Sequence, residues 1–252
     1  MRYRASVLVS TVGLVVLGYA VAAGADARPR PVPEHARTDA LADQGRTLYE
    51  TGCVSCHGVD GKGVPGRGPD LTGAGAAGAD FYLSTGRMPT NEGSGQARRK
   101  PPAYDRGQID ALVAYVASLG TGPAVPAVDP AAGDLVEGQQ LYTANCAACH
   151  NAAGSGGALG QATYAPPLFP ATATQVAEAI RVGPGPMPVF GPGSLDDRQV
   201  TSITRYTEYL RSPRDRGGLS LGRTGPVPEG LVAWLVGLGL VVLALRWIGT
   251  RT

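Results

Sequence analysis

The chain of 252 residues carries two long apolar segments, one near each end, around a middle of mixed polarity. Residues 5–25 contain no charged side chain and are long enough to cross a bilayer as a helix. Ala25-Asp-Ala27 also follows the small-residue pattern of a cleavage site. Two interpretations of residues 1–25 therefore stay open: a retained transmembrane anchor and a cleaved signal segment.

The second apolar segment predicts a C-terminal transmembrane helix within residues 228–252. Residues 230–245 are uncharged. Pro228 and Glu229 suit a helical first turn, where a missing N–H is harmless and a carboxylate meets the positive end of the helix dipole. A buried soluble helix would fit badly, because the segment has no polar face.

Arginines at the outer ends of both apolar segments predict the orientation of the chain. Arg2 and Arg4 precede the first segment, and Arg246 and Arg251 lie at the end of the second. Positive charge near membrane spans favours the cytoplasmic side. We therefore expect a multi-pass protein of the cell (plasma) membrane, with its middle region on the extracytoplasmic side.

Helical periodicity predicts a longer helix in each half of the middle region. In the first half, Asp105 with Gln108 forms a capping-box pattern before a helix from Ile109 to Leu119, which Gly120 ends. In the second half, we expect Ser194 with Asp197 to begin the matching helix. Its apolar and aromatic positions recur at helical spacing and indicate core packing: Val200, Ile203, Tyr206 and Leu210.

These helices belong to a repeat, because the two halves of the middle region carry the same elements in the same order. The order is a Gly-x-x-Leu-Tyr motif, a cysteine motif, a Pro-x-Leu turn, a short helical segment ending in glycine, a Met-Pro pair and the longer helix. The motifs before the cysteines are Gly45-Arg-Thr-Leu-Tyr49 and Gly138-Gln-Gln-Leu-Tyr142. The Pro-x-Leu turns are Gly68-Pro-Asp-Leu71 and Ala165-Pro-Pro-Leu168. The short helical segments are Asp80-Phe-Tyr-Leu-Ser-Thr-Gly86 and Gln175-Val-Ala-Glu-Ala-Ile-Arg-Val-Gly183.

The amino-acid composition and charge limit the kinds of function that the chain can have. Gly (37) and Pro (21) are abundant, which indicates loop-rich domains with small cores that usually need a disulfide, metal or cofactor. The formal net charge of +2 argues against a nucleic-acid partner. The densest basic cluster, Arg98-Arg-Lys100, is most simply a solvated loop.

The four cysteines form two Cys-x-x-Cys pairs, each followed directly by histidine: Cys53, Cys56 and His57, then Cys146, Cys149 and His150. This is the attachment pattern of c-type haem, in which two thiols bind the vinyl groups and histidine binds the iron. Zinc is a rival interpretation, but zinc ribbons separate their pairs by roughly 15–20 residues. Two disulfides or a thioredoxin-like redox site are further rivals. The sequence therefore predicts two covalently bound haem c groups.

Methionine is the expected second ligand of each haem iron, because an electron carrier needs both axial positions filled. Apart from Met1, the chain has only Met88 and Met187, one in each half and each before proline. We predict that Met88 and His57 bind one iron and that Met187 and His150 bind the other. His35 is expected to be solvated, and Arg87 is a candidate contact for a haem propionate.

Each half resembles the class I cytochrome c domain. The resemblance implies a mainly α fold, with two tandem class I cytochrome c domains flanked by N- and C-terminal transmembrane helices. The predicted domains are residues 39–120 and 133–211. The other segments are the anchor or signal 1–25, linkers 26–38, 121–132 and 212–227, and the helix 228–252.

The whole chain resembles the dihaem cytochrome c subunit of the actinobacterial cytochrome bc complex, a menaquinol–cytochrome c reductase. The matching motifs are Ser84-Thr-Gly-Arg-Met-Pro89, Asn145-Cys-Ala-Ala-Cys-His-Asn151, Gly185-Pro-Met-Pro-Val-Phe190 and Gly225-Pro-Val-Pro-Glu-Gly230. The resemblance implies a respiratory-chain relay from the Rieske iron–sulfur subunit to cytochrome c oxidase, with the cytochrome b subunit as a further partner. The chain would be the electron-transfer subunit of a translocase, with no catalytic residues beyond its haems.

Two other classes of protein remain open from the sequence. One is an independent dihaem redox enzyme, such as a peroxidase or thiosulfate dehydrogenase. The other is a structural protein that binds zinc at the cysteines.

Overall fold

The computed structural model describes residues 34–90, 96–160, 162–213 and 226–250. The predicted N-terminal anchor or signal, residues 1–25, lies outside these ranges. Most residues of the predicted linkers 26–38 and 212–227 also lie outside these ranges. Residues 41–252 form one compact unit.

The described residues of the first half of the repeat contain four helices. They are α1 (Glu34–Gly52), α2 (Val54–His57), α3 (Gly75–Ser84) and α4 (Arg106–Ser118). The predicted capping box is confirmed, because the Asp105 side chain accepts from the Gln108 backbone and the Gln108 side chain accepts from the Asp105 backbone.

Helices α1 and α4 cross in close contact at Gly45. A Cβ placed on Gly45 would lie only 1.9 Å from the backbone oxygen of Ala111. Next to this crossing, the rings of Tyr49 and Tyr115 pack with centroids 5.1 Å apart, and both rings are buried. Glycine in the sequence motif thus permits the helix crossing, and tyrosine fills the core beside it.

The second half repeats this arrangement and adds a small sheet. Its elements are a 3₁₀ turn (Pro130–Ala132), α5 (Leu135–Asn145), α6 (Ala147–His150), β1 (Gly157–Gly160), β2 (Thr163–Ala165), α7 (Ala173–Val182) and α8 (Asp197–Arg211). Strands β1 and β2 pair antiparallel. The α5–α8 crossing again uses glycine, because a Cβ on Gly138 would lie 2.0 Å from Ser202 O. Tyr142 packs on Tyr206 with ring centroids 5.3 Å apart.

Two features of the second half differ from the sequence prediction. Asp196, not Ser194, caps α8: its side chain accepts from the Gln199 backbone in a capping box, while Ser194 Oγ donates to Gly191 O in the preceding turn. The β1–β2 hairpin has no counterpart in the prediction, because its glycine-rich sequence shows no alternation of apolar and polar residues.

The two repeat halves meet through equivalent helices, α3 and α7. Near one end of this contact, Gln175 Nε2 donates to Ser84 Oγ at 3.0 Å. Toward the other end, a Cβ on Gly78 would lie 3.9 Å from Val182 Cγ1. Because residue numbers rise along one helix as they fall along the other, the two helices run antiparallel.

The last helix, α9 (Pro226–Gly249), begins two residues before the predicted first turn. Residues Val227–Gly249 are long and apolar enough to cross a membrane, and none of their most apolar stretch is buried in the protein. It is the single candidate span within the ranges that the structure describes.

Candidate functional site

The first cysteine motif follows directly from the end of α1. The Cys53 N–H donates to Tyr49 O, and the His57 N–H donates to Cys53 O at 2.9 Å, so the motif forms one tight helical turn. This turn brings both thiols and the imidazole to the wall of a single cavity. The chain leaves the turn at Gly58 with a positive φ of 75°.

A backbone carbonyl orients the imidazole of His57. The Nδ1 atom of His57 lies 2.9 Å from Pro69 O. Since a carbonyl oxygen can only accept, Nδ1 carries the proton and Nε2 keeps its lone pair for a metal. The Pro69 carbonyl can come this close because residue 68 is glycine: a Cβ there would lie 2.7 Å from Cys56 O.

The second motif has the same geometry. The His150 N–H donates to Cys146 O at 2.9 Å, and His150 Nδ1 lies 3.0 Å from Pro166 O. Burial lowers the pKa of His150, which favours the neutral imidazole that binds metals. In both histidines, Nε2 therefore remains available to bind a metal.

The first cysteine of each motif does not have the properties of a redox-active thiolate. Burial raises the pKa of Cys53 and of Cys146 to about 11, so both thiols stay protonated, whereas thioredoxin-like sites lower a thiol pKa. All four cysteines are free. In the ranges that the structure describes, no three His, Cys, Asp or Glu side chains converge on a possible metal position. The zinc interpretation therefore has no structural support.

Met88 is presented to the cavity by the loop after α3. Its N–H donates to Tyr82 O at 3.0 Å, and the half-buried side chain packs against the core around Tyr49 and Leu112. Gly86 makes this loop possible: its φ is 65°, and a Cβ would lie 2.2 Å from Lys100 O.

Met187 occupies the equivalent loop of the second half. Its N–H donates to Pro184 O at 3.2 Å. Gly183, with a φ of 62°, ends α7 in the left-handed conformation and turns the chain toward Met187. The Arg181 guanidinium fastens the loop by donating to Phe190 O at 2.9 Å and to Leu195 O at 2.6 Å.

The eight predicted site residues all line one mostly apolar cavity of about 1310 Å³. They are Cys53, Cys56, His57, Met88, Cys146, Cys149, His150 and Met187. In each half, the two thiols and the imidazole come from one helical turn, and the methionine comes from a separate loop. The donor set of thiols, imidazole and thioether fits haem c, a flat apolar ring that takes one nitrogen and one sulfur ligand.

A half-buried cation with one unpaired nitrogen also fits haem. Arg87 lines the cavity, its guanidinium lies 4.9 Å from the centre of the Phe81 ring, and its Nη1 atom is buried with no hydrogen-bond partner. Burial, followed by the charge of Arg99, lowers the pKa of Arg87. A propionate would supply the missing anion, which supports the predicted role of Arg87.

The tyrosine hydroxyls of the repeat form contacts that the sequence did not predict. Tyr49 donates to Gly58 O and Tyr142 donates to Asn151 O, each at 2.7 Å. Each hydroxyl thereby ties the helix before a cysteine motif to the residue directly after its histidine. The repeated Gly-x-x-Leu-Tyr pattern was the available signal for this contact.

The basic cluster is more than a solvated loop, although its side chains are exposed. Arg98 lies 5.5 Å from the centre of the Tyr164 ring, and Arg99 donates to Gln175 Oε1 at 3.0 Å. Beside them, the Gln96 side chain donates to Tyr164 O and accepts from Tyr164 N. This segment of the first half therefore binds the second half. His35, by contrast, lies exposed in α1, as expected of a solvated residue.

Two family models match the chain. Residues 42–120 match the model described as cytochrome c, and residues 133–206 match the model described as cytochrome c oxidase, cbb3-type, subunit III. The haem-binding motifs and methionines of both halves lie inside these matches.

Three relatives named cytochrome bc1 complex cytochrome c subunit are similar along most of the chain. The protein of Mycobacterium bovis is 41% identical over 95% of this chain and 90% of its own length. The protein of Mycobacterium leprae is 40% identical over 94% and 86%, and that of Corynebacterium diphtheriae is 38% identical over 84% and 82%.

Proposed function

Because the chain belongs to the actinobacterial family of cytochrome bc1 complex cytochrome c subunits, we propose that it relays electrons from the Rieske iron–sulfur protein to cytochrome c oxidase. Two covalently bound haem c groups would carry the electrons. Bound haem supplies one-electron chemistry between ferric and ferrous iron, and its axial ligands tune the potential.

The residues of the chain bind and orient the two haems. Cys53 and Cys56 would hold one through thioether bonds, and Cys146 and Cys149 would hold the other. His57 with Met88 would bind the iron of the first haem, and His150 with Met187 would bind the iron of the second. The Pro69 and Pro166 carbonyls hold the imidazoles in the ligating tautomer. Arg87 binds a propionate with its unpaired Nη1.

The observation that carries this proposal is the shared cavity. Both ligand sets line a single continuous space between the two domains. Such a space supports the proposal that the two haems lie next to each other, which suits transfer from one to the other within a single chain. Its mostly apolar walls suit a flat, apolar ring.

A relay is favoured over an independent dihaem enzyme, because each domain contributes its own methionine and its own histidine to the cavity wall. A peroxidase needs one iron with an open or exchangeable position. Met88 and Met187 both line the cavity, and each is held by a loop with a defined turn. The protein then serves as the electron-transfer subunit of the reductase, and quinol oxidation takes place elsewhere in the complex.

We further propose that the chain crosses the membrane twice and presents both haem domains on the extracytoplasmic side. The apolar helix Val227–Gly249 supports the C-terminal span. The uncharged residues 5–25 support the N-terminal one, and the arginines beyond the two segments support cytoplasmic termini.

Affinity purification of the full chain in mild detergent tests the proposed partners. The cytochrome b subunit, the Rieske protein and cytochrome c oxidase should co-purify, and quinol should reduce both haems of the purified assembly. A haem-loaded chain recovered alone, with none of these partners, would contradict the proposal.

A further inference from the structure

Glu178 is the most unusual polar side chain in the described structure. It lies in the middle of α7, its exposed fraction is 0%, and neither carboxylate oxygen has a hydrogen-bond donor within reach. A buried carboxylate without a donor is strongly disfavoured, since an ionised carboxylate loses its hydration and gains nothing in return. This position therefore requires a neutral carboxyl group.

The neighbour of Glu178 is a second carboxyl group, from the other domain. Asp80 of α3 is only 5% exposed and interacts directly with Glu178. The pair lies between the Ser84–Gln175 hydrogen bond and the Gly78–Val182 contact, at the centre of the α3–α7 interface. Two carboxyl groups can hydrogen-bond only if one of them carries a proton.

Arg106 pairs with only one of these two carboxyl groups. Its Nη1 donates to Asp80 Oδ1 at 2.6 Å, and its other contact is to Asp110 on the same helix, away from Glu178. Asp80 thus has a cation as partner, whereas Glu178 has none.

No other charged group on the packed helices is directed at Glu178. Arg181, one turn along α7, donates to Phe190 O, Leu195 O and Asp197 within the second domain. The charged groups that act on Glu178 are Asp80 and Arg106, both from the first domain. The pKa of Glu178 is raised to about 9, first by burial and then by Asp80, while the charge of Arg106 opposes the rise.

We propose that Asp80 and Glu178 form a proton-binding site that joins the two cytochrome c domains. The neutral Glu178 carboxyl donates its proton to the Asp80 carboxylate, and Arg106 balances the charge of Asp80. The site thereby fixes how the two halves of the shared cavity face each other. The proposal involves only the two domains and does not depend on which proteins supply or receive electrons.

Proton binding makes the contact between the domains dependent on pH. When the domains separate, Glu178 meets water and its pKa returns toward the ordinary 4.5. Docking therefore takes up one proton between that value and about 9. Within this window a rise of one pH unit should weaken docking by up to about tenfold. Docking weakens as the pH rises because, within this window, only the docked state keeps the proton.

Hydrogen exchange of the full, haem-loaded chain in detergent tests the proposal against Glu178→Gln. The amide is neutral at every pH and can donate to Asp80, so this variant should dock independently of pH. In peptides from α3 and α7, the ratio of the wild-type to the variant exchange rate should rise by up to about tenfold per unit from about pH 6 to about pH 9. Comparing the two proteins at each pH cancels the intrinsic pH dependence of exchange.

Glu137→Gln is the matched control, since Glu137 is paired with Arg198 inside the second domain. Its ratio to wild type in the same peptides should not change with pH. A constant ratio for Glu178→Gln, or an equal slope for the control, would overturn the proposal.

Infrared spectroscopy provides a second measurement that needs no Glu178 variant. The wild-type protein should show a neutral carboxylic C=O stretch at about pH 7 that disappears as pH rises through about 9. In Asp80→Asn the band should disappear at lower pH, because the neighbouring carboxyl that raises the pKa is gone. No band in wild type, or an unchanged midpoint in the variant, would contradict a shared proton.

Discussion

The imidazole Nδ1 of His57 lies 2.9 Å from the backbone oxygen of Pro69, and this contact sets the chemistry of the first cysteine motif. It leaves Nε2 free to bind metal. The same contact recurs between His150 and Pro166 at 3.0 Å. In each half the acceptor is a proline that follows a loop of at least eleven residues after the histidine. The two halves therefore share this hydrogen bond as well as their sequence motifs.

Nitrogen NMR of the reduced, histidine-labelled protein tests this contact. His57 and His150 should each show a proton on Nδ1 that exchanges slowly, because both donate to a backbone carbonyl. The exposed His35 serves as the internal control and should exchange fast. Protonation of Nε2 in His57 or His150 would refute the assigned tautomer.

Gly45→Ala should destabilise the first domain by about 3 kcal/mol, the upper end of overpacking effects. The new Cβ would lie 1.9 Å from Ala111 O, a backbone atom that cannot move aside without separating α1 from α4. Hydrogen exchange in peptides of these two helices would give the change in the free energy of opening.

Gly73→Ala is the control for that experiment, because a Cβ at this position has no atom within 4 Å. We expect it to change the free energy of opening by less than about 0.5 kcal/mol. Equal effects of the two alanines would mean that the helix crossing does not depend on Gly45.

Arg87→Gln should lower the reduction potential of the haem in the first domain by on the order of tens of millivolts. Removing a buried positive charge from the cavity wall favours the oxidised iron, which carries one more positive charge than the reduced form. Potentiometric titration of both haems would measure the shift. Arg46→Gln, at an exposed arginine over the Tyr115 ring, should leave both potentials nearly unchanged.

Much of the site could be predicted from the sequence because each ligand is marked by its local context. The cysteine motifs place thiols and histidine on one turn, and Met88 and Met187 are the only internal methionines. Short-range signals also predicted the Asp105 cap. They failed at Ser194, since Asp196 two residues later offers a better acceptor to the helix.

The contact between the domains could not be predicted in this way. Glu178 and Asp80 are far apart in sequence, and a charged residue in an amphipathic helix ordinarily indicates a solvent-facing position. The small side chains around Gly78, which let α3 approach α7, give no signal of their own. Long-range packing determines these features, and local pattern does not encode them.

Replacing Cys53 and Cys56 together by alanine should unfold the first domain as well as remove its haem. The cavity that these residues line is large for so small a core, and without a ring to fill it the surrounding helices lose their packing. Limited proteolysis should then cut within residues 42–120 while the second domain resists. Unchanged protease resistance of the first domain would contradict this expectation.

The most direct test of the account is the intensity of the methionine-sulfur-to-ferric-iron absorption band per chain. The wild-type protein should show the band for both haems, Met88→Ala and Met187→Ala should each keep half of it, and the double variant should keep none. Each single variant should also lower the reduction potential of one haem by on the order of 0.1 V. This lies within the range of roughly 0.8 V over which axial ligands set haem potentials. Full band intensity in either single variant would contradict the assignment of two histidine–methionine haems.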